Sequence, residues 1–393
     1  MGRKVALLLI LIPSLAFGWG AGGSSSTATM SQTSESDLTF WAPFTDPDNP
    51  LTLLKGTGTL SFTRATTATY VHPTTGLITS AGTGVLRIES NGALIEGART
   101  NIALQSEVLG TTWAASSVTL VNDNAVAPDG ASTAERLTAS GANGTLLQSV
   151  TGTATAYTFS IYLKRLTGTG NVDVRADNTT WSTCTINAST WTRCPVTATL
   201  ADNTYAPGVR IVTSGDAVYA WGGQMEAGAF KSSYIPTTTD NVTRNADALT
   251  FAEAGNVVEA VGSAFAEIQI NSATRADYGW VIDGGNCRVL FRGSGTNAGV
   301  RDGTNTLYEA GTWTDESAHR VASAWSSTLT TMRVVRDGEA VASAAFDGLM
   351  EAAGTYAIGG AIGGGYEMFG HIKNLRIWIR ALTDAEMVSV TTP

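Results

Sequence analysis

The sequence is poor in the residues that most chemistry needs. Three histidines and three cysteines in 393 residues leave little material for a metal centre or for a nucleophile paired with an imidazole, both of which need such side chains in clusters. No CxxC, HExxH, GxSxG or phosphate-loop pattern occurs. Charge is scarce too, at 15% of residues, and it sums to −9. A surface that neutralises nucleic-acid phosphates is basic, so nucleic acid is excluded as the main partner. Long Glu/Lys/Leu-rich helical stretches are missing, and no heptad repeat is present to enforce a homo-oligomer.

What is plentiful points to β structure. Forty-three glycines amid abundant threonine and serine fit turn-rich, two-layer sheets, and the length allows two or three domains with real cores. Residues 1–18 have the parts of a secretory signal: Arg3-Lys4, an apolar run from Val5 to Phe17, and small residues at Ala16 and Gly18. The run is too short to span a bilayer comfortably, and no cysteine follows it to take a lipid anchor. Residues 19–36 read as a Gly/Ser/Thr-rich linker.

Residues 37–107 alternate short extended runs (Ser61–Arg64, Thr69–Val71, Val85–Ile88, Ala93–Ile95) with turns at Pro73-Thr-Thr-Gly76, Gly82-Thr-Gly84 and Asn91-Gly92, as hairpins require. Arg64, Arg87, Glu96 and Arg99 stand among apolar and small residues, which predicts at least one structural Arg–carboxylate pair. The turn at Asp46-Pro-Asp-Asn49 offers oxygen ligands for calcium, though a polar turn explains it as well. The words FTRATTATY, LR and LIEGARTN within Phe62–Asn101 resemble a segment common in bacteriophage tail and fibre proteins. Leu86 stands where that segment has proline.

In residues 108–245, Tyr157, Phe159, Ile161 and Leu163 alternate with polar neighbours, the pattern of a half-buried antiparallel strand. Similar alternation recurs at Ser117–Val121, Thr180–Ile186, Trp191–Thr199, Val209–Val212 and Ala217–Met225, enough strands for a sandwich or jelly roll. Cys184 and Cys194 flank the turn-like Asn187–Thr190, so they can face each other across a hairpin and close a disulfide. Two unlinked thiols are equally compatible with the spacing, and Cys287 has no partner either way. The order YTFSIYLK, Trp191-Thr-Arg193 and Gln224-Met-Glu226 resembles carbohydrate-binding modules of the jelly-roll type. The phage family also shows the Ser-Tyr-Ile-Pro-Thr-Thr word found at Ser233–Thr238. Asn241–Asp247 partly echoes Phe62–Ala65 and reads as a hinge.

In residues 246–393, Ala264, Ala266, Ile268 and Ile270 line one face. Arg336-Asp-Gly-Glu339 is a strong hairpin signal, and Thr383-Asp-Ala-Glu386 is a capping box that starts a short helix. Val335–Val341, Ile358-Gly-Gly360 and Phe369 through Glu386 resemble recurring words of the laminin-G-like, concanavalin-A-like jelly roll. The expected fold is therefore all-β: two tandem antiparallel jelly-roll sandwiches preceded by a hairpin-rich N-terminal segment.

Sugar sites need flat aromatic faces and a few orienting polar groups. Tyr278, Trp280, Asp283 and Asn286, with Tyr366 after Gly363-Gly-Gly365, are the candidates, although Trp280 also suits a core position. Trp181 and Trp191 invite the same reading, but strand tryptophans usually fill a sandwich interior. Laminin-G-like domains sometimes bind calcium, which makes Asp283 or Asp302 a candidate ligand; no other cofactor is implied. Glu89 with Glu96, or Glu309 with Asp315, are the carboxylate pairs a glycosidase would need, and nothing sets them apart from ordinary loop carboxylates. The resemblances imply a non-enzymatic virion protein of the tail or fibre, with cell-surface glycan and other virion proteins as partners. The signal-like start leaves open a secreted or periplasmic lectin-like protein, of bacterial or prophage origin.

Overall fold

The computed structural model describes residues 36–153, 155–271, 279–292, 297–309, 311 and 316–393. The signal-like segment and the linker, apart from Ser36, lie outside these residues. The period-two side chains Ala264, Ala266, Ile268 and Ile270 are buried on the strand Val261–Ile270. That strand is hydrogen-bonded to Ala318–Ser326 on one side and Gly370–Trp378 on the other, within an eight-stranded antiparallel sheet. A seven-stranded sheet, which includes Ala248–Ala252, Ala352–Ile358, Gly279–Gly285 and Arg288–Arg292, shares its core. Phe40, Trp325 and Ile377 from the first sheet and Phe251, Ile282 and Tyr356 from the second form one buried cluster. The Phe251 ring lies 4.5 Å from Phe40 and 5.5 Å from Tyr356.

The local signals in this sandwich have the expected geometry. Asp337 and Gly338 take φ of 50° and 73°, and Glu339 N–H donates to Arg336 O at 2.9 Å, the two positive angles and closing bond of a type I′ turn. Thr383 and Glu386 make the reciprocal capping box of the helix Asp384–Thr391. That helix places Met387 in a second cluster with Leu38, Phe265 and Trp378, on the outer face of the larger sheet. Leu375 and Ile377 are buried, but the strand ends at Trp378, so Ile379 falls beyond it and is exposed.

The divisions expected at 107/108 and 245/246 do not follow the sheets. Residues 37–107 make no separate unit, because their strands complete the C-terminal sandwich. Leu38–Ala42 and Gly92–Ile95 both pair with Gly370–Trp378, and Ser61–Thr63 pairs with Ala248–Ala252. Gly92 shows how close this joint is. Its φ is +116°, and a Cβ there would come within 2.2 Å of Ile372 O, so only glycine lets the hairpin close onto that strand. The two ends of the chain thus build one sandwich, with the middle sandwich inserted between them. Alternation within a segment reports a strand but not a partner some 300 residues away, which is why the sequence reads as tandem.

The inserted sandwich has two five-stranded antiparallel sheets, one around Ala156–Thr167 and Ala217–Ala227, the other around Val172–Arg175 and Gly208–Ile211. Phe159, Ile161 and Leu163 are fully buried in its core with Trp113, Val174 and Val209. Ala156–Thr167 is buried on both faces near its start rather than on one, since Thr158 and Ser160 are also at 0% exposure. The returning chain explains this: Thr158 Oγ1 donates to Gly228 O at 2.8 Å, and Arg193, which donates to Ser160 Oγ, also donates to Ser232 O. Cys184 and Cys194 are joined in a disulfide with a Cα–Cα separation of 5.8 Å.

Between the sandwiches lies a buried polar junction to which the phage-like words contribute Arg64, Arg87, Glu96, Arg99, Asn101, Ser233 and Ile235. Arg87 reaches Glu96 at 2.8 Å and Asp247 at 2.5 Å, and Arg64 reaches Asp247 at 3.0 Å, all with side chains at 0% exposure. Arg244 pairs with Glu96 at 2.5 Å, so the expected hinge is an ordered crossing, largely exposed, that plants the buried Arg244 and Asp247 in the junction, and its strand Val242–Arg244 pairs with Arg99–Asn101. Burial pushes the Glu96 carboxyl up, but the Arg244 and Arg87 guanidiniums outweigh it and hold the group well below the usual carboxylate range. Ser233 N–H donates to Glu96 at 2.8 Å, Asn101 Nδ2 donates to Ile235 O at 2.8 Å, and Gln224 accepts from Ile235 N–H at 2.7 Å. Arg99 faces Glu226 at 3.5 Å and stacks on Phe230 and Phe369. A buried network of paired charges fixes relative geometry because alternative arrangements leave a charge unpaired, even though Nε of Arg87 and of Arg244 has no hydrogen-bond partner among the described residues.

Candidate functional site

The candidate residues are sorted by the hairpin of Gly279–Gly285 and Arg288–Arg292 and by the turn that follows Ile358. Trp280 lies near the start of its strand, half-buried rather than in the core. Its N–H donates to Tyr366 O at 3.1 Å, and its ring stacks on the Tyr366 ring with centroids 4.1 Å apart and planes 9° apart. The Arg288 guanidinium lies 3.9 Å from the same Trp280 centroid. Two groups cannot both sit about 4 Å above one face, so Trp280 is the middle layer of a Tyr366–Trp280–Arg288 stack. Trp280 therefore organises the site, and the ring offered to solvent is Tyr366, at 48% exposure.

Tyr366 is held there by unusual backbone geometry. Its φ is 55°, a left-handed conformation that a bulky residue adopts rarely and that marks a fixed feature. Asp283 supplies part of the hold: it is 1% exposed, and its Oδ2 accepts from Ile362 N–H at 2.9 Å, which ties the glycine-rich turn to the strand beneath. Burial pushes the Asp283 carboxyl up, and the Ile362 and Gly285 N–H groups and Arg288 pull against it. Asp283 is thus a positioning group below the surface and not a ligand contact.

Beside the stack opens a cavity of about 220 Å³ lined by Trp280, Arg288, Phe291, Arg301, Tyr308 and Tyr366 among others. Tyr308 is 42% exposed and meets Phe291 edge to face at 5.7 Å. Two of the expected residues, Trp280 and Tyr366, come together here. Asn286 is exposed at the hairpin tip and is not among the lining residues, and Tyr278 lies outside the described residues. Sequence reasoning missed Arg288, Phe291, Arg301 and Tyr308. Period two gives no signal that joins them: Arg288 and Phe291 are three residues apart, and the strand register is irregular between them.

The other candidates are committed elsewhere. Asp302 caps its own turn, accepting from Thr304 N–H at 2.9 Å, Asn305 N–H at 2.6 Å and Asp347 N–H at 3.0 Å. Asp46 does the same for Asp48 and Asn49. Among the described residues no group of three or more His, Cys, Asp or Glu side chains could hold a metal ion. Glu89 pairs with His371 at 2.9 Å, Glu309 with Arg336 at 3.4 Å, and Asp315 lies outside the described residues. In the inserted sandwich neither tryptophan fills the interior: both are only half-buried, Trp181 with the Arg175 and Arg210 guanidiniums each 4.7 Å from its ring. A cavity of about 250 Å³ at the junction, lined by Tyr70, Glu89, Tyr162, Arg193 and His371 among others, has its charges largely paired with one another, including Lys231 with Glu316 at 2.5 Å.

No curated protein matches the chain. Solved structures similar to it include the Ruminococcus gnavus IT-sialidase CBM40 bound to alpha2,3 sialyllactose, at 16% identity over 35% of this chain and 84% of that one, with a TM-score of 0.30. They also include the botulinum neurotoxin serotype D binding domain, at 13% identity over 37% of this chain and 40% of that one, TM-score 0.30. A third is the NanB sialidase from Streptococcus pneumoniae, at 13% over 36% and 26%, TM-score 0.30. Residues 231–387, which carry the groove and most strands of its sandwich, match the laminin-G-type family described as the Concanavalin A-like lectin/glucanases superfamily.

Proposed function

We propose that the protein is a non-enzymatic adhesive component of a phage tail or fibre, and that its C-terminal sandwich binds cell-surface glycan in the groove beside Tyr366 and Tyr308. The observation that carries the glycan reading is the Tyr366–Trp280–Arg288 stack. It presents a fixed, half-exposed aromatic ring at the mouth of a cavity about 220 Å³ in volume, and pyranose rings pack on such faces while polar neighbours orient them. The virion reading is supported by the phage-like words, whose residues contribute to the junction that holds one sandwich against the other.

Binding without turnover is supported by how the carboxylates are used. Glycoside hydrolysis needs two carboxyl groups converging on an open cleft, one of them protonated near neutral pH. Glu96 is buried and held ionised between two guanidiniums, Glu89 is paired with His371, and Glu309 is buried with Arg336. None of these three lines the groove.

A second reading, a secreted or periplasmic lectin-like protein of bacterial or prophage origin, is favoured by Arg3-Lys4 with the apolar run that follows, and by the Cys184–Cys194 disulfide, which persists in oxidising compartments. N-terminal sequencing of the mature protein separates the two readings. The glycan reading is tested by retaining the full-length protein on immobilised cell-envelope polysaccharides and checking the eluate for shortened chains. Retention that Tyr366→Ala removes is the expected result. No retention on any envelope fraction sinks the adhesin, and chain shortening sinks the non-enzymatic assignment.

A further inference from the structure

The groove carries charge of one sign in a chain that is acidic overall. Arg288 and Arg301 both line it, in a protein with net charge −9. Asp283 faces Arg288 at 3.8 Å from below and answers part of that charge. Arg301 has no carboxylate within ion-pairing distance among the described residues. Its guanidinium makes one hydrogen bond there, from Nη2 to Gly303 O at 2.9 Å; Nε is buried without a partner, which leaves the Nη end of the fork for a ligand. The two guanidiniums are close enough to oppose each other: burial lowers the Arg288 pKa, Asp283 raises it, and Arg301 lowers it further. Neither can easily turn away, since Arg288 is stacked on Trp280 and Arg301 is tied to Gly303.

Two like charges held side by side next to an exposed aromatic ring are relieved by an anion. The guanidinium fork matches a carboxylate in two parallel hydrogen bonds, which an ammonium or an amide cannot reproduce. We propose that the groove selects an acidic glycan, taking the carboxylate of a uronic-type sugar on Arg301 with Arg288 while the sugar ring packs against Tyr366. This rests on the groove being the glycan site, and it adds the substrate class. A sulfated sugar offers related anionic chemistry and is set against the carboxylate in the test.

The experiment measures binding of the full-length protein to three soluble polymers: polygalacturonate, the same polymer with its carboxyl groups reduced to alcohols, and dextran sulfate. Polygalacturonate is expected to bind about ten- to a hundredfold more tightly than its reduced form, the range of a charge-assisted hydrogen-bond pair, and the margin should shrink as salt rises from about 0.05 M to about 0.5 M. Arg301→Gln should erase the margin at unchanged melting temperature, and Arg301→Lys, which keeps the charge and loses the fork, should erase most of it. Tyr366→Ala should weaken both galacturonan forms alike. Equal binding of the two forms overturns the acidic assignment and leaves the glycan site standing. Tighter binding of dextran sulfate than of polygalacturonate overturns the carboxylate. Failure of every polymer to bind counts against the groove as a glycan site altogether.

Discussion

Arg87 and Asp247 meet at 2.5 Å with both side chains fully buried, although the whole inserted sandwich separates them in the chain. The pair ties a hairpin that precedes the insertion to the segment that leads out of it. Asp247 also holds Arg64 and accepts from Glu96 N–H at 2.9 Å. Asp247→Ala would leave two buried guanidiniums short of a counter-charge, a type of loss that costs about 3–5 kcal/mol. Urea denaturation should show that drop, and a change below about 1 kcal/mol would mean the junction is wetter than its geometry implies.

The thiols give a second check. Cys184 and Cys194 are linked, while Cys287 is buried beside Tyr356 and its thiol is pushed up to about 12, mainly by burial. The native protein should therefore show no fast-reacting thiol, and the protein unfolded without reductant should show a single one. Replacing both linked cysteines by serine should cost about 2–3 kcal/mol on the loop-entropy estimate for so short a loop.

Glu135 predicts a pH dependence. It is fully buried on the strand Ala134–Ala139, and burial with the nearby Asp123 carboxylate pushes it up to about 7, the Leu109 N–H pulling the other way. Because the folded state holds this proton more tightly than the unfolded chain does, the contribution is fully present below about pH 4.5 and is lost as pH rises through about 7. Glu135→Gln should raise stability by about 1–3 kcal/mol at pH 8 and change little at pH 4. A constant offset across that range in thermal melts would contradict the assignment.

The C-terminal helix offers a local test. Thr383 Oγ1 accepts from Glu386 N–H, and Glu386 accepts from Thr383 N–H. Glu386 sits at a pKa of about 2, held down first by its hydrogen bonds to Arg380. Thr383→Ala should cost about 0.5–2 kcal/mol, seen in melting curves, because Met387 and Leu382 depend on that helix end for their packing.

The sequence by itself determined what depends on near neighbours. Period two placed Phe159, Ile161 and Leu163 in one core and Ala264 through Ile270 in another. The Asp337-Gly338 turn and the Thr383 cap followed from backbone conformations that few residues adopt, and the words around Arg87 and Glu96 announced a buried ion pair. Trp280 and Tyr366 were legible as aromatics beside glycine-rich turns, and the structure stacks the two rings at the groove. The tertiary structure alone decided which strand lies beside which, since backbone hydrogen bonds carry no residue identity across hundreds of positions; for that reason an apparent N-terminal unit became part of the C-terminal sandwich. It also decided that Asp283 lies under the groove and Arg301 in it. Facing is set by sheet twist and register, and the charge balance of a pocket exists only once separate strands have been brought side by side.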